Sequence, residues 1–365
     1  MPTRRQILTL AGAALMTGTT ASATALETVS PAAAGFQPDL DQRLAAAQAA
    51  GRLDGLHGIV ALRGGRIFFE RYFRGPDASW GTPLGEIAFG PDTLHDLRSV
   101  TKSIVGLLYG IALDRGMVPA PDQPLLAQFP EYPDLAADPA RARLTVGHVL
   151  TMTLGTEWNE SLPYTSAANS EIAMEMAADR YRFVLDRPIL AEPGQHWTYN
   201  GGATTLLGRL IERGTGQALP DFARAALFDP LGIGATQWTR GHDGTPSAAS
   251  GLRMVPRDLA RIGRMILAKG QAGGRQVVPA DWLAASFQPR ARLEDGRGYG
   301  YHWYLGRFEA GGFWRGAIGN GGQRLFVWPG IDLVVAITAG NYDQPEQWRP
   351  PTNLVREVIL PALAG

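Results

Sequence analysis

Apolar residues recur along the chain with two periods, and the change from one to the other lays out the elements. Over 38–50, Leu40, Leu44 and Ala47 fall on one helical face and Gly51 ends the run, which predicts a first helix. Two β-rich runs follow, 57–63 and 66–73, separated by Gly64-Gly65, a two-residue hairpin signal. The stretch 75–91, rich in Gly, Pro and Asp, reads as a loop. It leads into a helix whose buried stripe is Val100, Ile104, Leu107, Leu108 and Ile111, and which Gly116 stops. Prolines are dense over 119–139 and no long periodic segment fits there. Thr145 is placed as the N-cap of a helix over 146–152. Residues 157–195 are polar, with a short helical pattern around 172–178 and the composition of a lid or pocket wall.

Farther on, 203–213 reads as a helix closed by Gly214, and Pro256 opens another through Leu259, Ile262, Met265 and Ile266. Beyond Gly298 the period shortens to that of strands, at 299–305, 312–318, 324–328 and 332–338, before a final helix over 353–363. Strands, helices, strands and a helix, without βα alternation, predict a mainly antiparallel sheet built from both ends of the chain. A helical subdomain, at roughly 120–250, is inserted between them.

Composition narrows the class. An apolar fraction of 45% in 365 residues supplies an ample core. The formal net charge of zero argues against a general attraction to nucleic acid or anionic membranes. With no cysteine, neither disulfides nor thiolate metal sites are available. At the N-terminus Arg4-Arg5 precedes an apolar run over 7–16, then Ala21-Ser22-Ala23 and Ala23-Thr24-Ala25, both acceptable cleavage sites. Residues 1–25 thus resemble a twin-arginine export signal, too short to span a bilayer, and predict an exported, periplasmic or secreted protein with no stable membrane insertion.

The candidate chemistry lies at the start of the apolar helix. Ser99 and Lys102 are three apart, neighbours on one helical face. A helix N-terminus and burial both disfavour an ammonium, so the pair predicts a free amine beside a hydroxyl, a general base beside a nucleophile. Only Lys102 and Lys269 are lysine among 34 basic residues, so this chain uses arginine wherever a fixed charge suffices, and arginine cannot serve as a base. The plainer alternative is an amphipathic helix with a serine cap and a solvated lysine.

Two later stretches add weaker signals. Tyr199 stands in a turn-rich run ahead of a helix, and 317–323 is a small-residue strand end able to bring backbone N–H groups near a carbonyl. No serine sits in a Gly-x-Ser-x-Gly elbow, which discounts a Ser-His-Asp scheme. His57, His95, His148, His196, His242 and His302 are scattered singly in the sequence, and each reads as an ordinary core or surface histidine.

Taken together, Ser99-x-x-Lys102, then Tyr199, then Ala317-Ile318-Gly319-Asn320-Gly321-Gly322-Gln323 resemble the class C β-lactamase-like serine hydrolases. That group includes β-lactamases, D-alanyl-D-alanine peptidases, carboxylesterases and 6-aminohexanoate-dimer hydrolases. The resemblance implies an α+β fold of the β-lactamase/transpeptidase type over 26–365, an antiparallel sheet flanked by helices. It implies Ser99 as nucleophile, Lys102 as general base, and Tyr199 as a phenolate or proton relay to the leaving group. The backbone N–H groups of Ser99 and Asn320 would hold the oxyanion, with Gly319 and Gly201 at the substrate, and no metal or organic cofactor is implied. Two departures shift the reading within the group. Gly201 stands where the family's Tyr-x-Asn motif has Asn, and Ala317 stands where its Lys-Thr-Gly or His-x-Gly strand has a cation. Both favour a small-molecule ester or amide substrate over a β-lactam. A β-lactamase or D-alanyl-D-alanine peptidase, and a catalytically silent binding protein of the same fold, stand as alternatives.

Overall fold

A computed structural model describes residues 26–364, so the N-terminal signal lies outside the described residues. One eight-stranded antiparallel sheet organises the chain. From one edge its strands are Ala291–Arg292, Gly298–Tyr299, Tyr304–Phe308, Gly312–Gly319, Gln323–Trp328, Leu333–Ala339, Leu56–Arg63 and Arg66–Tyr72. The chain's first strands therefore pair with its last, as the order of patterns predicts. Successive side chains leave opposite faces of a strand, and both faces here are buried. Leu325 and Val327 join the core that holds the Val100–Asp114 helix, whereas Phe326 and Trp328 pack with Leu40, Leu44 and the C-terminal helical run. Among the described residues no helix is long and apolar enough to cross a membrane.

The Val100–Asp114 helix departs from its predicted stripe in being buried on every side from Val100 to Ala112. A helix so enclosed must satisfy its polar groups internally. Thr101 donates to Arg98 O at 2.6 Å and Ser103 to His302 O at 2.6 Å. Close approach also needs a missing side chain: a Cβ at Gly110 would stand 2.0 Å from Trp282 Cδ1.

Other boundaries move for local reasons. The predicted loop over 75–91 is a second hairpin, Arg74–Ser79 with Thr82–Ala88, turned at Trp80 and Gly81 with φ of 49° and 82°. Its outer strand is almost wholly exposed, so it carries no apolar alternation to read. Thr145 caps Val146–Thr151 as expected, in a reciprocal box with His148. The helix expected over 203–213 runs Gly201–Thr215 and ends at Gly216, at φ 68°. Gly214 does not stop it but lets it pack, since a Cβ there would lie 1.8 Å from Met117 O. The strand expected over 299–305 breaks at His302, φ 60°, whose ring inserts between helices and meets Thr204 Oγ1 at 3.0 Å. The last helix starts earlier, at Arg349, and widens into a π-helical run over Leu354–Ile359.

Candidate active site

Strand His95–Asp96 pairs with Leu252–Met254, and Leu97 N–H adds a bond to Leu252 O at 2.9 Å, fixing the entry to the Ser99 helix. Arg98 then takes a left-handed turn, φ 48°, a conformation that costs energy outside glycine. Its guanidinium is held by Asp96 at 3.3 Å and lies over the Trp80 and Tyr342 rings, so the turn is tied down from three sides. The chain leaves that turn with Ser99 at the N-cap position of Val100–Asp114.

Lys102 is 2% exposed and its Nζ donates to Ser99 Oγ at 3.0 Å, so the predicted pair forms. The amine is not alone beside the hydroxyl, however. It also donates to Ala249 O at 3.1 Å and to Glu171 Oε2 at 3.2 Å, and these three acceptors match the three N–H groups of an ammonium. A buried carboxylate beside the lysine is a partner absent from the sequence reading.

Glu171 opens the Ser170–Met176 helix, its own N–H bound to the capping Asn169 Oδ1 at 2.9 Å. Ser250 donates to Glu171 Oε1. A second carboxylate, Glu160, half-buried at the cavity wall, lies beside Glu171 and accepts from Trp158 Nε1 at 2.6 Å, Tyr164 OH at 3.0 Å and Gly201 N–H. The two acids are driven apart. Burial, and then the charge of Glu171, push Glu160 well above the usual carboxylate range. Burial also raises Glu171, but the Lys102 charge and the Ser250 hydrogen bond outweigh it and hold Glu171 low. Of the two, Glu160 is the acid whose surroundings favour the protonated form.

Tyr199 lies against Lys102, whose Nζ is 4.9 Å from the ring centroid, and it lines the same cavity as Ser99. Burial first, then Tyr304 and the charges of Glu160 and Glu171, push the phenol well above its ordinary range. Of the two forms the resemblance allowed, the environment favours the protonated phenol.

Gly319, the end of strand Gly312–Gly319, abuts the Ser99 turn: a Cβ there would meet Leu97 O at 2.4 Å and Arg98 Cβ at 3.3 Å. Only glycine lets the strand end approach this closely. Asn320 follows, its side chain tied to Asp343 by Nδ2 to Oδ1 at 2.6 Å and by Asp343 N–H to Oδ1 at 2.9 Å. Ser99, Tyr199, Gly319 and Asn320 all face one cavity of about 850 Å³. Its outer walls alternate guanidinium and aromatic groups, among them Arg297, Arg307, Arg324, Tyr304, Trp314 and Trp348.

The structure thus gathers five of the predicted residues, with Lys102 directly behind Ser99. Gly201 is placed differently: it is buried beside the two glutamates, its N–H on Glu160. Sequence reasoning missed Glu160, Glu171 and Ser250, which lie in stretches with no motif. Tyr164 and Trp158 were legible only as aromatics of a pocket wall, and both in fact bind Glu160. Two of the scattered histidines meet across the fold. His57 Nδ1 and His95 Nε2 are 2.9 Å apart, and with Asp77 they form the one described group of three potential metal-ligating side chains, their ligand atoms within 4.8 Å of one another. Most of their polar atoms are engaged, His95 Nδ1 lying 2.9 Å from Asp96 O and Tyr342 OH donating to Asp77 Oδ1 at 3.0 Å, while the buried His57 Nε2 has no hydrogen-bond partner.

Comparison with known proteins places the chain in a family and a fold. The sequence profile of the family described as Beta-lactamase matches residues 40–354. A 6-aminohexanoate-dimer hydrolase from Paenarthrobacter ureafaciens is 27% identical over 320 residues, 82% of this chain and 74% of that protein. Esterase EstB from Burkholderia gladioli is 33% identical over 190 residues, 50% of this chain and 46% of the esterase, so that match spans about half of each. Among solved structures, EstCE1, a hydrolase with promiscuous acyltransferase activity, superposes with a TM-score of 0.69 at 16% identity, covering 90% of this chain and 99% of that one. An octameric penicillin-binding protein homologue from Pyrococcus abyssi gives 0.64 at 18% identity, over 87% and 75%. At such identities the structural matches speak for the fold alone.

Proposed function

The chain belongs to the β-lactamase family and is a hydrolase with esterase- and amidase-type relatives, and from that premise we propose that it cleaves a small ester or amide through an acyl-enzyme on Ser99. The observation that carries this reading is the 3.0 Å contact between Lys102 Nζ and Ser99 Oγ at the floor of a cavity that Tyr199 also faces. Lys102 takes the Ser99 proton as the hydroxyl oxygen attacks the carbonyl carbon. The developing oxyanion rests on the N–H groups of Ser99 and Asn320. Tyr199, kept a phenol, gives its proton to the departing alkoxide or amine and is reprotonated from Lys102. Water then attacks the ester on Ser99 and releases the acid. The absence of a cation at Ala317 and of an amide at Gly201 favours a short-chain ester or amide over a β-lactam. Export follows from the Arg4-Arg5 signal, and the family's reaction suits a periplasmic or secreted enzyme.

The test is hydrolysis of p-nitrophenyl acetate and butyrate by the mature protein beside Ser99→Ala. Turnover that disappears in the variant is the expected result. Equal rates in the two proteins would sink the acyl-enzyme reading in favour of a silent binding fold.

A further inference from the structure

The two glutamates behind Lys102 and the glycine in the tyrosine motif explain each other. A Cβ built on Gly201 would stand 2.4 Å from Glu171 Oε2, 2.9 Å from its Cδ and 3.1 Å from Glu160 Oε1. Any side chain at 201 would occupy the space the carboxylates use. The same Glu171 Oε2 is the atom that meets Lys102 Nζ at 3.2 Å, and Glu171 is fully buried.

We propose that Glu171 replaces the side chain Gly201 lacks: its carboxylate aims Lys102 at Ser99 and stores the lysine's proton while Ser99 attacks, with Glu160 beside it. This rests on the hydrolase reading above. The proton balance is closed. At rest the site holds a Lys102 ammonium, a Glu171 carboxylate and a Glu160 carboxylic acid. As the Ser99 oxygen bonds to the substrate carbon, its proton passes to Lys102 Nζ and one ammonium proton passes to Glu171 Oε2. Lys102 stays an ammonium, Glu171 becomes a neutral acid, and the negative charge moves to the oxyanion. When the carbon–leaving-group bond breaks, Tyr199 protonates the leaving group and the stored proton returns through Lys102 to Tyr199, restoring the Glu171 carboxylate.

The surroundings suit that cycle. Ser250 Oγ and Lys102 Nζ hold the two Glu171 oxygens separately, so the group has a fixed orientation and not merely a charge. Glu160 cannot compete for the ammonium, because its oxygens are spent on Trp158, Tyr164 and Gly201. The titratable groups facing Glu171 are Lys102 from the Ser99 helix, Glu160 and Tyr164 from the preceding loop, Tyr199 from the run before Gly201, and Glu175 one turn along its own helix. Of these only Lys102 offers it a positive charge.

The experiment is the pH dependence of kcat/KM for p-nitrophenyl acetate, in the wild type, Glu171→Gln, Glu171→Asp and Gly201→Ala. In the wild type activity falls on the acid side as the Glu171 carboxylate is protonated, so the limb lies in the carboxylate range. Glu171→Gln removes the proton store and, with it, the carboxylate that sets the wild-type limb. Its activity at pH 7 drops by about 10² to 10³ and the acid limb moves several pH units alkaline, with activity partly recovered at high pH. Gly201→Ala, whose methyl group displaces Glu171, moves the limb the same way, and Glu171→Asp retains part of the wild-type limb. A uniform loss with an unmoved limb would show a structural role only and overturn the proposal. So would a wild-type acid limb above pH 8, a measurement that needs no variant to fold. Ser99-dependent turnover with either result leaves the hydrolase reading standing, whereas wild-type turnover no greater than that of Ser99→Ala removes that reading and this inference with it.

Discussion

Two buried polar clusters lie on either side of the Ser99 turn, and they are built for opposite ends. On the side of the strand leading in, His95 meets His57 from strand Leu56–Arg63 and Asp77 from strand Arg74–Ser79, and the group is closed off by Phe89, stacked on His57 at 4.1 Å, and by the backbones of Gly75 and Gly340, where a Cβ would come 2.8 and 2.4 Å from the His57 ring. On the side of the helix leading out, Ser99 and Lys102, with Glu171 from the Ser170–Met176 helix, are buried as deeply, yet Ser99 opens onto the cavity. The first cluster is two facing imidazoles with the Asp77 carboxyl group 3.7 Å from His95 Nε2, the second a lysine–carboxylate pair beside a hydroxyl. Burial and titratable groups alone would not tell them apart. What does is access: the Ser99 cluster presents a hydroxyl to a cavity of about 850 Å³, and the histidine cluster faces only packed protein.

Substitution separates the two most sharply. Ser99→Ala and Lys102→Arg are expected to lower kcat/KM by at least about 10³-fold while leaving the thermal transition within a few degrees of wild type, because arginine keeps the charge but cannot accept the proton. His95→Ala is expected to do the reverse. It strips His57 of its ring partner, at a cost of about 2–4 kcal/mol read from denaturant unfolding, while the folded fraction retains near-normal kcat/KM. Loss of activity without loss of stability in His95→Ala would mean that the two clusters are coupled.

Acid should find the histidine cluster first. Burial, then the facing His95 charge, lower His57 to about 4, and burial lowers His95 to about 4 despite the help of Asp96. Both rings are neutral in the folded chain down to that pH, whereas in the unfolded chain they protonate near 6.5. The unfolded state thus binds more protons between 6.5 and 4, and stability falls as pH falls through that window. At its steepest the loss is about 1.4 kcal/mol per pH unit for each histidine. Urea midpoints measured from pH 7 to 4 check the slope, which His95→Phe should roughly halve.

The sequence made the Ser99–Lys102 pair legible and left its supports hidden, for a physical reason. Ser99 and Lys102 are joined by one helical turn, so their spacing alone brings them together. Glu171 reaches Lys102 across 69 positions and Ser250 reaches Glu171 across 79, contacts that no local period encodes. The same limit hid the pairing of His57 with His95. The sheet fared better because its alternating apolar positions are local, and the hairpin at Arg74–Ser79 was lost where exposure removed that alternation. Gly201 is the instructive case. In the sequence it looks like a motif residue gone missing; in the structure it is the vacancy that admits Glu171.

The smallest expected effect concerns the strand end that closes the catalytic cluster. Asn320 contributes to the proposed oxyanion site through its N–H, and its side chain serves instead to fasten the Asp343 turn, at φ 58°, to the rim of the cavity. Asn320→Ala keeps the backbone donor, so kcat should fall by less than about tenfold, with any larger change confined to KM as the rim loosens. Asn320→Pro removes the donor itself and should cost kcat about 10² to 10³-fold, the usual measure of one oxyanion contact. If the two variants lost kcat equally, the oxyanion would have to rest on some other donor, and the strand end would owe its place beside Ser99 to packing through Gly319 alone.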